Sequence, residues 1–260
     1  MTVPNAAVHP NATVHPDARL ASGVVVGPGV VIEADVEVGE GTEVLPGTVL
    51  HAGARLGARC RVGPYAVVAG LPMDHHFHGE PTLAVVEDEV IIREFVTVHR
   101  ATGEGAETRI GTGSLVMSYV HVSHNTRIDH HAIMTAGAQL GGHGHIGHHA
   151  VVGGGALLHQ FCRVGEYAMF GAASAGNMDT LPYTMARGNP ARHYGLNRVG
   201  LQRNGIEGER YAALERAVRA FRRRDREALD ALAEASADVR RMLEFAAGSE
   251  RGVARFAGGG

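Results

Sequence analysis

From Val8 to Phe170 the chain is apolar at every sixth residue, in a single phase that runs through Val8, Val14, Leu20, Val26 and Ile32 and on to Leu158, Val164 and Phe170. Only Asp74, Glu80 and Glu104 break it, so 25 of the 28 phase positions are apolar. A second six-step series, four residues behind the first, is small or β-branched: Ala12, Ala18, Val24, Val30, Val36, Thr42, Thr48, Ala54, Cys60 and Ala66. An α-helix repeats its faces every 3.6 residues and a flat strand every two, so neither produces this period. A six-residue repeat predicts a parallel β-helix, in which three short sides make one triangular coil and successive coils pair as strands. Roughly nine such coils fit into residues 1–192, and at ~4.8 Å per coil the prism is about 45 Å long.

Two stretches lack the apolar phase and are rich in Gly or Pro, Gly70 to Thr82 and Ala101 to Arg109. They are expected to be loops thrown out of the prism, the kind of segment a rigid scaffold positions for function. The composition changes after Arg192, and from about Gly205 the apolar spacing turns helical, with Tyr211, Leu214, Val218 and Phe221, then Leu229 and Leu232, then Met242, Leu243 and Phe245. Residues 193–260 therefore read as a small α-helical C-terminal domain. Between Arg198 and Arg226 it carries nine Arg against four acids, a local excess of +5 on a chain whose net charge is −3. This basic patch suits an acidic protein partner. Aromatic side chains that stack on bases are scarce there, which argues against nucleic acid.

The N-terminal residues MTVPNAAVHP show no basic-then-apolar leader, and no run approaches the ~18 apolar residues of a membrane span. A cytoplasmic protein with no stable membrane insertion is expected. Cys60 and Cys162 fall in the small inward series more than five coils apart, so they are read as two core thiols with no disulfide between them.

Histidine is abundant, 17 in all, and eight lie between residues 121 and 149, none in either inward series. Residues 18 apart stack in neighbouring coils, about 5 Å from one another. His124, Gly142 and Gln160 form one such column, flanked by His143 and His159. An imidazole beside a glycine whose backbone N–H can be approached supplies a general base and an oxyanion donor. No nucleophile elbow, phosphate loop or dinucleotide fingerprint is present, which leaves direct base-assisted attack on a bound acyl donor as the economical chemistry.

Several longer motifs carry a family resemblance: GEPT at 79–82, IIREFVTVHRAT at 91–102, SYVHVSHNT at 118–126, GGHGHIG at 141–147, LHQFCRVG at 158–165, GNPAR at 188–192 and GLNRVGLQRNG at 195–205. With them the chain resembles the acyl-carrier-protein-dependent UDP-N-acetylglucosamine O-acyltransferases that begin lipid A synthesis. The resemblance implies the left-handed form of the β-helix and a homotrimer with active sites between subunits. It implies His124 as general base for the glucosamine 3-hydroxyl and Gly142 N–H as oxyanion donor. It further implies that Asp74, His76, His121, His143, His159 and Gln160 line the sugar-nucleotide site, that Asn197 and Arg203 grip the nucleotide or the pantetheine arm, and that Ala172 limits acyl length. The donor is a 3-hydroxyacyl chain on the phosphopantetheine of acyl carrier protein, which would meet the Arg-rich cap. No cofactor of the protein's own and no metal are implied.

The chain departs from the family pattern at Asn125, where Asp is usual, at Met73 and His76, where Gln and Lys are usual, and at Val199 and Asn204, where Glu and Arg are usual. Loss of polar loop contacts leaves open a 3-amino UDP-sugar acceptor and an amide product. A second alternative is a trimeric metalloenzyme like the γ-type carbonic anhydrases, since His143 and His148 have the five-residue spacing of two zinc ligands there, although Glu107 stands where the third histidine belongs.

Overall fold

The computed structural model describes residues 6–258. Residues 6–196 form a left-handed parallel β-helix of three sheets, with 11, 9 and 8 strands. Most strands are only two residues long, and all but the last pair in parallel with a strand one coil away, as in Ile133↔Val151 and His121↔Gln139. Beyond the first coil the apolar members of both six-residue series point inward and are buried: Ile32, Leu50, Ile92, Ile128, Met134 and Ile146 in the large series, and Val24, Ala66, Val120, Ala138 and Ala156 in the small one. The inward hydroxyls of Thr42 and Ser114 donate to the carbonyls of Gly57 and Asp129 at 2.7 and 3.0 Å and are satisfied inside the core, whereas the buried hydroxyls of Thr102 and Thr108 in the same series have no hydrogen-bond partner.

At the corners between sides, non-glycine residues recur with positive φ, including Tyr65, Phe95, Tyr119, His131, His143, His149, Phe161 and Tyr167. That conformation costs of order 1 kcal/mol or more for a residue with a Cβ. It turns the side chains outward, where they stack from coil to coil. Tyr65, Phe95 and Tyr119 form one ladder with ring centroids 5.6 and 5.0 Å apart, and His143 lies flat on Phe161 at 4.6 Å.

The first interruption leaves the prism after the strand Val67–Gly70 and returns at Leu83–Val86. The second is shorter than its composition suggests. Glu107–Ile110 is a strand in register with Leu83–Val86, and Thr108 and Ile110 are fully buried, because both occupy inward phase positions. The last strand, Ala191–Leu196, runs through residue 192 and pairs antiparallel with Thr184–Gly188. Four helices follow: α1 (Arg198–Arg203), α2 (Gly208–Arg223), α3 (Arg226–Ala235) and α4 (Ala237–Ala247). Asp225 caps α3 through Ala228 N–H and Ser236 caps α4 through Val239 N–H, as short polar residues do at helix starts. The helices cover the end of the prism with Leu201, Ile206, Leu214, Ala217, Val239 and Met242 packed on Leu181 and Tyr183. Cys60 and Cys162 are free and buried. Among the described residues no helix is long and apolar enough to cross a membrane.

His193 locks the junction: its Nδ1–H donates to Ala254 O at 2.8 Å and its Nε2 accepts Leu181 N–H at 2.9 Å, with the side chain fully buried. Burial pushes its pKa down to about 4. The unfolded chain takes up this proton near pH ~6.5, so the stability tied to neutral His193 is complete above that pH and is lost as pH falls towards 4. Chemical unfolding at pH 7.5 and 4.5 should show the wild type losing on the order of 2–3 kcal/mol more than His193→Gln. Equal losses in the two proteins would remove His193 as the acid-sensitive group.

Candidate active site

Three consecutive turns of one prism edge stack His124, Gly142 and Gln160, as the register of His121↔Gln139 and Gln139↔Leu157 requires. A Cβ built on Gly142 would overlap the His124 ring at Nε2 and Cε1, so glycine is what lets the imidazole lie against the next coil. The Gly142 carbonyl accepts Phe161 N–H at 2.9 Å, while its own N–H has no hydrogen-bond partner among the described residues. His124 itself is only 8% exposed.

The two interruptions provide that cover. Glu80, in the first, accepts from Gly103 N–H in the second at 2.8 Å, and His99 meets Leu71 O at 2.5 Å, which stitches both loops to the edge. Asp74 thereby reaches His124, with Oδ2 at 3.8 Å from Nδ1. Hydrogen bonds from the His76 backbone and then its side chain lower the Asp74 pKa to about 2, so the carboxylate is charged at neutral pH.

Asn125 sets the tautomer. Its amide is read in both directions by one residue, since Nδ2 donates to Thr102 O at 2.9 Å and Oδ1 accepts from Thr102 N–H at 2.9 Å. With Oδ1 so identified, its 2.9 Å contact to His124 Nδ1 is a donation from Nδ1–H. Nε2 is left with the lone pair, on the ring edge facing Gly142. Asn125 thus keeps the imidazole oriented, and the nearby negative charge comes from Asp74. Asn125→Asp should move the acid limb of the pH–rate profile to higher pH, because an adjacent carboxylate favours the imidazolium. It should also lower the maximal rate, since a carboxylate cannot donate to Thr102 O. An unmoved limb in a kcat/KM profile would contradict this geometry.

The remaining histidines surround this centre. His143 meets His124 edge-on, with ring centroids 5.3 Å apart, and His121 is held by Thr97 Oγ1 at 2.8 Å with His99 packed against it at 5.0 Å. Burial lowers the pKa of His99, His121 and His143, and the His124 charge lowers each further. They are neutral around pH 7, available as hydrogen-bond partners without competing for the proton that His124 handles. His159 and Gln160 are exposed one coil further on. His159 borders a largely apolar cavity of about 320 Å³ with Leu157, Leu158, Ala175 and Pro190.

Other predicted residues stand apart within one chain. Asn197 caps α1, accepting Gly200 N–H and donating to Tyr167 O at 2.8 Å, and Arg203 is exposed on that helix. Ala172 is exposed at a different edge of the prism, between the strands Met169–Phe170 and Ala175–Gly176. His143 and His148 also lie on different edges, so the pair does not form the zinc site of the carbonic anhydrase alternative. Sequence reasoning missed Thr102, Thr97, His99 and Phe161. Phe161 follows Gln160 at a corner, and His99 and Thr97 lie one coil before His121, so the coil register was the signal that pointed to them.

Comparison with known proteins follows the same geometry. A family profile described as UDP-N-acetylglucosamine O-acyltransferase, domain 2, matches residues 179–254, and one for the bacterial transferase hexapeptide matches residues 35–70. The acyl-[acyl-carrier-protein]–UDP-N-acetylglucosamine O-acyltransferase of Halorhodospira halophila is 42% identical over 198 residues, 74% of this chain and 77% of that protein. The Burkholderia thailandensis enzyme of the same name is 35% identical over 74% of this chain and 78% of its own. The solved UDP-N-acetylglucosamine acyltransferase of Bacteroides fragilis superimposes with a TM-score of 0.92 at 31% identity, covering 95% of this chain and 100% of that one. Identity at this level over most of both chains places the protein in the acyl-[acyl-carrier-protein]–UDP-N-acetylglucosamine O-acyltransferase family.

Proposed function

We propose that the chain transfers an (R)-3-hydroxyacyl group from the phosphopantetheine thioester of acyl carrier protein to the 3-hydroxyl of UDP-N-acetylglucosamine, the first step of lipid A synthesis. The observation that carries this reading is the oriented His124 imidazole, with Nε2 lying against Gly142, whose N–H has no partner among the described residues. His124 Nε2 removes the proton as the sugar oxygen attacks the thioester carbonyl. Gly142 N–H receives the oxyanion. The C–S bond then breaks and the sulfur leaves with the proton from the imidazolium. Asp74, charged and 3.8 Å away, favours the cationic form of His124 during the transfer. Asp74, His76, His121, His143, His159 and Gln160 contact the sugar nucleotide.

The same reading makes the protein a cytoplasmic homotrimer. Asn197, Arg203 and Ala172 lie on the cap and on another edge, so a neighbouring copy is needed to bring such residues to the His124 edge. Acyl carrier protein, an acidic partner, docks on the exposed Arg216, Arg219, Arg222 and Arg223 of α2.

Mass spectrometry of products tests this reading. The protein is incubated with UDP-N-acetylglucosamine, its 3-amino analogue and a ladder of 3-hydroxyacyl carrier proteins, and sedimentation of the same preparation should show three chains. A single 3-O-acylated UDP-sugar is expected, its mass giving the chain length that Ala172 permits. No acylated product from the hydroxyl acceptor with any donor would sink the assignment.

A further inference from the structure

A second histidine cluster occupies the next edge of the prism, one six-residue side beyond His124. His130 and His148 are one coil apart and their rings stack in parallel, with centroids 4.9 Å apart and planes 3° from parallel. His149 packs edge-on to both, at 5.9 and 5.5 Å. One ring nitrogen from each of the three lies within 4.8 Å of the other two. The acyl-transfer mechanism uses none of them.

We propose that His130, His148 and His149 form a binding site for one divalent transition-metal ion of the zinc class, separate from the acyl-transfer centre.

A second, independent feature points to a ligand at this place. His148 Nε2 faces Glu166 Oε2 at 2.5 Å, so its N–H is committed to the carboxylate and the lone pair falls on Nδ1. That Nδ1 is buried and has no hydrogen-bond partner. A buried acceptor left unsatisfied is destabilising, and metal coordination satisfies it. A histidine that donates one ring N–H to a carboxylate while offering its other nitrogen is the arrangement that supports metal-bound imidazole. Glu166 is fixed in turn by the Tyr183 hydroxyl and by Arg241 at 3.4 Å, so the carboxylate is held in place by the prism wall and α4.

Ligand chemistry selects the class of ion. Three imidazoles suit Zn²⁺, Co²⁺, Ni²⁺ or Cu²⁺ and offer nothing to Mg²⁺ or Ca²⁺, which require oxygen donors. Around a tetrahedral ion with Zn–N bonds of about 2.0–2.1 Å the nitrogens stand about 3.3 Å apart. Rotation of the exposed His130 side chain can supply the needed approach. Water would complete the coordination.

Untagged protein is dialysed against Co²⁺ or Zn²⁺ and the bound metal counted, with the visible Co²⁺ spectrum reporting nitrogen ligation. About one ion per chain is expected. The double substitution His130→Asn with His149→Asn should abolish it, Glu166→Gln should weaken affinity about 10–100-fold, and His124→Ala should leave it unchanged. His130 is exposed, so His130→Asn alone tests the site in a chain whose core is untouched; circular dichroism of each variant checks the fold. Failure to bind either metal, undiminished binding in the double variant, or loss of the ion in His124→Ala would each overturn the proposal.

Discussion

His124→Ala should lower kcat/KM for acyl transfer by about 10²–10⁴-fold, the contribution usual for a positioned general base. The expectation rests on geometry more than on residue type. The ring is held at Nδ1 by Asn125, which is itself clamped by both backbone groups of Thr102, and Nε2 lies over Gly142. No neighbouring imidazole has the same arrangement, because His121 is engaged by Thr97 and His143 lies flat on Phe161. The loss should appear in kcat, with KM for UDP-N-acetylglucosamine changed little, since the proposed reading gives the sugar several other side-chain contacts. Steady-state kinetics with purified acyl carrier protein as donor measures it. A fall of less than tenfold would assign the base elsewhere.

Gly142→Ala should cost nearly as much, about 10²–10³-fold, because it keeps the backbone N–H but displaces the general base. Gly142 does not have the positive φ that marks Gly137 or Gly155, so alanine meets no backbone strain there. The added methyl collides with the His124 ring alone. The melting temperature should therefore stay close to wild type while the base is displaced from above the oxyanion donor. The two substitutions should not be additive, because removing the ring removes the collision. In the His124→Ala background, Gly142→Ala should have only a minor further effect, read from the double variant's residual rate.

The prism was legible because the coil repeats a six-residue rule that packing enforces at every turn. Even the exceptions were informative: Asp74 and Glu80 break the apolar phase, and the structure shows one facing His124 and the other tying the loops together. Thr108 and Ile110 kept the inward phases within a polar stretch, so the strand at Glu107–Ile110 was readable by phase though obscured by its composition. What the repeat does not encode is contact between loops. Asn125 looked like a lost carboxylate, whereas its role depends on Thr102, 23 residues away on an excursion whose path the repeat leaves undefined. The burial of His124 escaped notice for the same reason, since both inward series exclude it and the folded loops add cover that the repeat does not describe. The placement of Ala172 on another edge followed from residue arithmetic alone. A trimer that unites such edges is a matter of surfaces between copies, on which an inward-facing pattern is silent.

The pH dependence of kcat/KM, measured side by side for the wild type and His124→Ala, tests the central claim most directly. An acid limb in the wild type reports protonation of the group that must accept the sugar proton. If that group is His124, the limb is present in the wild type and absent from the residual rate of His124→Ala. An acid limb that survives in the variant with the same midpoint would show that another group is the base, and the proposed mechanism would be wrong.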